Sequence, residues 1–416
     1  MHTKVNLENV RKAASSFGDV VLRTPLMPNH TQSQKWKANV FFKREDLQQV
    51  RSYKIRGAYH KISSLSKEEL KNGVVCASAG NHAQGVALSS SKMSVQGVIF
   101  MPTPTPNQKV ERVKMFGGSF VRVELIGDTF DDASAAAKEF SQRNGMAFIH
   151  PFDDEKVIEG QGTVGLEILD QASYPIDYLF LPVGGGGLAS GVSSVFKLLS
   201  PETKIIGVEP MGAPSMSESI TNRKNTRLDG IEKFIDGASV QMVGQRNFEI
   251  CSDNLDQMVT VHEGKVCQTI LDLYNKDALV VEPAGGMTVA VLDQFREQIA
   301  GKNVVCLISG SNNDITRTEE IKERALLYAG LKHYFIVNFP QRPGALKDFV
   351  SRVLGEGDNI THFEYSKKHN RNSGPAVIGL EIGNADDLNS LKMRMKNEGY
   401  AYRYLNDQPD LFEFLV

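Results

Sequence analysis

From about residue 40 to residue 310, short runs of β-branched and other apolar residues alternate with amphipathic or small-residue stretches, and this constrains the fold more than any other feature. The runs at 40–42, 73–76, 98–101, 120–124, 178–183, 204–208, 279–282 and 304–309 predict strands. The stretches at 131–142, 188–199, 265–274 and 287–299 predict helices. Alternation of this kind builds mostly parallel sheets with helices packed on them. Several strands are unbroken apolar runs, as expected when both faces are covered.

The pattern changes near Ile315. Residues 316–331 are charged, helical in character and free of strand signals, so they read as a connector. Beyond them, 333–339, 360–365, 376–382 and 400–405 predict strands, and 344–354 and 385–397 predict helices. That order, β-α-β-β-α-β, is the ferredoxin-like arrangement. The expected organisation is an α/β region over 1–315, with a small lobe at about 50–150 inserted in a larger one, the connector, and an α+β module over 332–416. With 416 residues, the chain exceeds one ordinary core.

The 47 basic and 49 acidic residues leave a net charge of −2, so no basic field draws the chain to nucleic acid or anionic lipid. No apolar run is long enough to span a bilayer. The opening Met1-His2-Thr3-Lys4 has no apolar leader core, and a cytoplasmic location is expected. Cys76, Cys251, Cys267 and Cys306 lie far apart and are expected to be reduced thiols.

Three loops carry candidate chemistry, because ligands in open α/β sheets bind at the carboxyl ends of strands. The first is Gly184-Gly185-Gly186-Gly187-Leu188, between a predicted strand and a predicted helix. Glycines let backbone N–H groups approach a ligand, and a helix N-terminus favours an anion, most naturally phosphate. The spacing matches neither the dinucleotide nor the Walker pattern. The second is Arg51-Ser52-Tyr53-Lys54-Ile55-Arg56-Gly57-Ala58, which opens a helix with an apolar stripe. There the helix dipole and nearby arginines are expected to lower the pKa of Lys54, as Schiff-base chemistry requires. The third is Ser78-Ala79-Gly80-Asn81-His82-Ala83-Gln84-Gly85, suited to a carboxylate or a ring oxygen. On these residues alone, a flexible turn, a solvated lysine and an Asn-capped turn remain open readings. No acid or second histidine stands at ligand spacing from His82, and no metal is expected.

These motifs, followed by Ser309-Gly310-Ser311-Asn312, occur together and in order. They resemble the threonine dehydratase and serine racemase branch of the fold-type-II, tryptophan-synthase-β-like, pyridoxal-phosphate enzymes. Arg23-Thr24-Pro25-Leu26 and Lys43-Arg44-Glu45-Asp46-Leu47 agree with it. The resemblance implies pyridoxal 5'-phosphate held covalently by Lys54, with its phosphate at Gly184–Leu188. It places Asn81 at the ring hydroxyl, Ser309 at the pyridine nitrogen and Tyr53 against the ring. It assigns the substrate carboxylate to Ser78, Ala79, Gly80 and His82. A hydroxyl rather than a carboxylate at Ser309 implies a weak electron sink, suited to rapid loss of a β-leaving group. The implied reaction is dehydration and deamination of L-threonine to 2-oxobutanoate and ammonia, the first step of isoleucine biosynthesis. An L-serine dehydratase or serine racemase of the same fold is the alternative, and an amino-acid sensor without catalysis the rival from another class. Racemase-like relatives with a divalent ion carry acids after the strand holding Glu209; here Ser215 stands where the second acid is expected.

Phe339-Pro340-Gln341-Arg342-Pro343-Gly344-Ala345-Leu346 resembles the opening of an ACT-like regulatory domain, as found once or twice in biosynthetic threonine dehydratases. It implies isoleucine as effector and a homo-oligomer, expected to be a tetramer.

Overall fold

The unbroken apolar runs become buried parallel strands, and the turn chemistry at their carboxyl ends sets where a ligand can sit. The computed structural model describes residues 5–365, 372–408 and 410–412; the opening tetrapeptide read above for a leader lies outside them. The chain divides into two compact units, Met1–Asp314 and Ile315–Val416.

The first unit holds two sheets. The larger has the strand order Leu26–Pro28, Asn39–Arg44, Asn303–Ile308, Tyr178–Pro182, Lys204–Pro210, Gln257–Val261. Its first pair is antiparallel and the rest are parallel. Leu179, Leu181, Val305 and Leu307 pack against Val164, Ile168, Val192 and Phe196 of the flanking helices. The smaller sheet orders Val121–Leu125, Gly97–Met101, Val74–Ala77 and Ala147–Phe148, all parallel. One face buries Val74, Cys76, Ile99 and Met101 against Val86, Val110 and Val113. The other buries Val75, Ala77, Val98 and Phe100 against Ala133 and Ala137. Period-2 alternation across a covered sheet accounts for both faces being apolar.

The second unit opens with a 3-10 turn, Ile315–Arg317, and the helix Thr318–Tyr328, and continues as an antiparallel sheet ordered Asn359–Tyr365, Ser373–Glu381, Lys332–Pro340, Tyr402–Tyr404. Helices Ala345–Arg352 and Asp387–Asn397 complete the expected β-α-β-β-α-β order. Phe335, Val337, Phe339, Ile378 and Leu380 form its core with Phe349, Leu391 and Met395.

The structure corrects some elements. Residues 279–282, read as a strand, are irregular backbone leading into the helix Pro283–Ala290. The helix read at 287–299 is that helix followed by a 3-10 turn, Val291–Phe295. The edge strands Leu26–Pro28 and Gln257–Val261 had no clear signal. All four cysteines are buried thiols outside any disulfide. Among the described residues no helix is long and apolar enough to cross a membrane.

Candidate active site

Three strand ends and one helix start of the first unit converge on one cavity. Tyr178–Pro182 runs through Val183 into the glycine loop and the helix Gly187–Leu199. Asn303–Ile308 delivers Ser309. Val74–Ala77 leads to the helix Asn81–Met93, and the helix Lys54–Ser63 presents Lys54 as its first residue. Tyr53, Lys54, Asn81, Gly184 and Ser309 line this cavity together. Residues distant in sequence thus line one cavity.

The glycine loop is built against its surroundings so closely that no side chain fits. A Cβ on Gly184 would lie 2.9 Å from Ala238 Cα, one on Gly185 2.3 Å from the Phe152 ring, and one on Gly187 2.9 Å from the Phe152 carbonyl. Gly186 has φ of +93°, a region that strongly favours glycine. Asn247 supports the loop from behind, donating through Nδ2 to the carbonyls of Gly185 and Phe152 at 2.8 and 3.1 Å. Leu188 is buried and packs into the core beneath. The first N–H groups of the helix Gly187–Leu199 have no partner within it, so the loop and helix start form a cradle for an anion.

Lys54 Nζ donates to the Pro151 carbonyl at 3.2 Å and lies 5.3 Å from the centre of the Tyr53 ring. It lines the cavity but is otherwise enclosed by protein. Burial lowers its pKa to about 8, against the opposing pull of Glu282. The lowering comes from desolvation, and the nearby arginines expected to cause it are not among its causes. Tyr53 is pushed up by burial, and next by Glu282, so its phenol stays protonated.

Ser78, Ala79, Gly80 and His82 are not among the residues lining the cavity, although they adjoin Asn81, which is. Ser78 Oγ accepts from Gly80 N at 3.2 Å. His82 is buried and its Nε2 is 3.0 Å from the Ile149 carbonyl. Burial, with a contribution from Lys54, lowers its pKa to about 3, so it is neutral at physiological pH. Burial likewise brings His150 to about 4.

The reading of the residues missed Glu282. It is buried on the cavity wall, where its Oε1 accepts from Asn81 Nδ2 at 2.7 Å and its Oε2 from Asn312 N at 3.2 Å. Burial, and then Asp236, raise its pKa to about 7. Its local signal is a carboxylate directly before a proline that occupies the first helical position.

Glu209 lies away from the cavity lining. Its Oε1 accepts from Met216 N at 2.6 Å, and its Oε2 from Ser217 N and Oγ at 2.9 and 2.8 Å, at the start of the helix Ser215–Thr221. Ser215 Oγ donates to the Val240 carbonyl. No group of three or more His, Cys, Asp or Glu able to hold a metal occurs among the described residues.

Residues 18–310 match the family described as pyridoxal-phosphate dependent enzyme, and residues 323–415 match the C-terminal regulatory domain of threonine dehydratase. The biosynthetic L-threonine dehydratase of Halalkalibacterium halodurans is 54% identical over 413 residues, covering 99% of this chain and 100% of the relative. This chain belongs to the biosynthetic threonine dehydratase family. The family member from Bacillus subtilis is 50% identical over 99% of this chain and 98% of its own length. The processed form of threonine deaminase isoform 2 from Solanum lycopersicum superposes with a TM-score of 0.73 at 39% identity, over 78% of this chain and 96% of that one. The fold-type-II fold with a C-terminal regulatory module, read from the motifs, is thus the family's own. The cofactor of this family, pyridoxal phosphate, fits the residues present. A half-buried lysine with a lowered pKa and a glycine cradle for a phosphate share one cavity wall.

Proposed function

We propose that this protein converts L-threonine to 2-oxobutanoate and ammonia with pyridoxal phosphate held by Lys54. When bound, the cofactor supplies an electron sink for the pair left on the substrate α-carbon. The phosphate would rest on Gly184, Gly185, Gly186, Gly187 and Leu188, the ring hydroxyl at Asn81, the ring nitrogen at Ser309 and the ring face at Tyr53. Lys54 Nζ takes the proton from the α-carbon, which needs the neutral amine that burial favours. The Ser309 hydroxyl leaves the ring nitrogen without a negative partner. With the cofactor bound, that would favour loss of the β-hydroxyl, together with a proton, as water. Ser78, Ala79, Gly80 and His82 form the loop that would take the substrate carboxylate. His82 is neutral and so contributes no net charge to that binding. Released to water, the unsaturated amine hydrolyses to the keto acid and ammonia.

The second unit is a regulatory module, and isoleucine, the end product of the route that threonine dehydration opens, is the effector we assign to it. A homotetramer in the cytoplasm is the expected assembly and location.

The observation that carries the reading is the convergence of Lys54 and the glycine loop on one cavity. The test is steady-state turnover of L-threonine and L-serine by the wild type and Lys54→Ala, with the visible spectrum of each. A lysine-dependent visible band and a higher kcat/KM for threonine support the reading. Near-normal threonine turnover by Lys54→Ala, or a preference for serine, overturns it.

A further inference from the structure

The hydrogen-bond network behind the cavity has a direction. Arg112 Nη1 donates to Asn312 Oδ1 at 2.7 Å. Asn312 Nδ2 donates to the Val50 carbonyl at 2.8 Å and to Asn81 Oδ1 at 2.7 Å. A guanidinium can only donate and a carbonyl can only accept, so the amide of Asn312 has one allowed orientation. Asn81 is fixed the same way from both sides. Its Oδ1 faces the Asn312 donor and its Nδ2 donates to Glu282 Oε1 at 2.7 Å. Flipping Asn81 would set oxygen against the Glu282 carboxylate and N–H against N–H of Asn312. Asn81 Nδ2 carries two hydrogens and Glu282 takes one. The other belongs to the cavity that Asn81 lines.

We propose that Glu282 is a positioning residue: with Asn312 it locks Asn81 as a hydrogen-bond donor to the cavity, so the site selects an aromatic oxygen that accepts, in its deprotonated form, over a hydroxyl that donates. This rests on the reading that the cavity binds pyridoxal phosphate. In this role the Glu282 side chain acts through Asn81. It accepts from Asn312 N as well, so a side chain with one acceptor cannot serve both donors. Gln at this position leaves a donor facing a donor and frees Asn81 to rotate.

The test is a binding cycle on the full chain, using pyridoxal phosphate and its 3-deoxy analogue against apoenzyme of the wild type, Glu282→Gln and Asn312→Ala. In the wild type, loss of the ring oxygen is expected to weaken binding by roughly tenfold or more, as for a hydrogen bond to a charged group. In Glu282→Gln the two ligands should bind within about threefold of each other, and the long-wavelength absorbance of the bound cofactor should fall relative to its near-ultraviolet band. Asn312→Ala should move both readouts in the same direction, and it carries the test if Glu282→Gln does not fold. Wild-type-like discrimination and spectra in both variants overturn the proposal while leaving the cofactor reading intact. A wild type that binds neither ligand overturns the cofactor reading, and this inference falls with it.

Discussion

Arg56, two residues after Lys54 on the same helix, grips Glu45 in a two-pronged ion pair, Nε to Oε2 at 2.7 Å and Nη2 to Oε1 at 2.8 Å, with both side chains fully buried. Its other edge pairs with Glu167 at 2.7 and 2.9 Å, and Lys43 Nζ reaches Glu167 at 2.6 Å. Two cations thus face two carboxylates. Burial alone would lower the Arg56 pKa, but Glu45 and Glu167 reverse it and keep the guanidinium charged. Burial alone would raise Glu45, but Arg56 and then Lys43 hold it below its ordinary value. The helix that presents Lys54 is thereby anchored two residues from it.

Removing one partner strands the others. Arg56→Ala should destabilise the protein by about 3–5 kcal/mol, the cost of leaving buried carboxylates unpaired. Arg56→Lys keeps the charge but loses the fork, so its loss should be smaller yet measurable. Denaturant unfolding of the apoenzyme reads both. Glu45 has a depressed folded pKa, so its contribution is present above the unfolded carboxylate pKa and is lost as pH falls through the folded value. The difference between wild type and Arg56→Ala should therefore narrow in acid. Equal stability of the wild type and Arg56→Ala at pH 7 would refute this account.

A second prediction concerns the cradle. Gly185→Ala would put a methyl 2.3 Å from the Phe152 ring, which packs edge-on to His150 at 4.9 Å between ring centres. Backbone on both sides limits retreat, so overpacking should cost about 1–3 kcal/mol. Cofactor affinity should fall with it, because the loop must shift to accept the methyl. Equilibrium dialysis of pyridoxal phosphate and a melting curve check this together. Gly80→Ala, where nothing lies within 4 Å of the added carbon, should melt like the wild type.

The parts of the site that could be read in advance are those written in contiguous residues. Gly184–Gly187 between an apolar run and a helix pattern needs no long-range knowledge. The fully buried strands were legible because every position is apolar. Leu279 and Val281 are buried too, which is why 279–282 resembled a strand. Pro283 starts a helix there instead, and Glu282 N is used by the Gly310 carbonyl. Glu282 itself could not be placed, because its partners Asn81 and Asn312 lie far from it in sequence. Gln257–Val261 was missed for a related reason: an edge strand with only Val261 buried has no strong alternation. The lowered Lys54 pKa was expected from charge and dipole, but the enclosing wall that causes it comes from other segments.

The regulatory module leads to a third prediction. An effector changes substrate affinity only by its differential binding to two states of the enzyme, typically about 5- to 150-fold. Isoleucine should raise the threonine concentration giving half-maximal rate by a factor in that range. Reciprocity then requires a ligand of the Lys54 cavity to weaken isoleucine binding by the same factor at equilibrium. Calorimetric titration of the holoenzyme with isoleucine, with and without a non-reacting threonine analogue, measures both. Absence of any isoleucine heat, with threonine saturation unmoved, would leave the module without this effector.

The last prediction follows from Lys54 being enclosed. Its pKa of about 8 lies well below that of an ordinary lysine, near 10.4. At pH 7 roughly one Lys54 in ten is then neutral, against about one in 2,500 for a solvated lysine. Lys54 of the apoenzyme should react with a small acylating reagent at a rate that is half-maximal near pH 8, as mass spectrometry of pulse-labelled peptides would show. Desolvation sets this midpoint low and Glu282 raises it, while the neighbouring His82 and His150 are neutral over the range and leave it alone. Glu282→Gln should therefore move the midpoint down. The linkage has a definite sign. A lysine with a depressed folded pKa binds fewer protons folded than unfolded between pH 8 and 10.4, so apoenzyme stability should rise with pH across that window. Lys54→Met, which has no proton to lose, should remove this rise. A labelling midpoint near 10, with the same pH dependence of stability in Lys54→Met, would mean that the amine is solvated and that burial does not prepare it for chemistry.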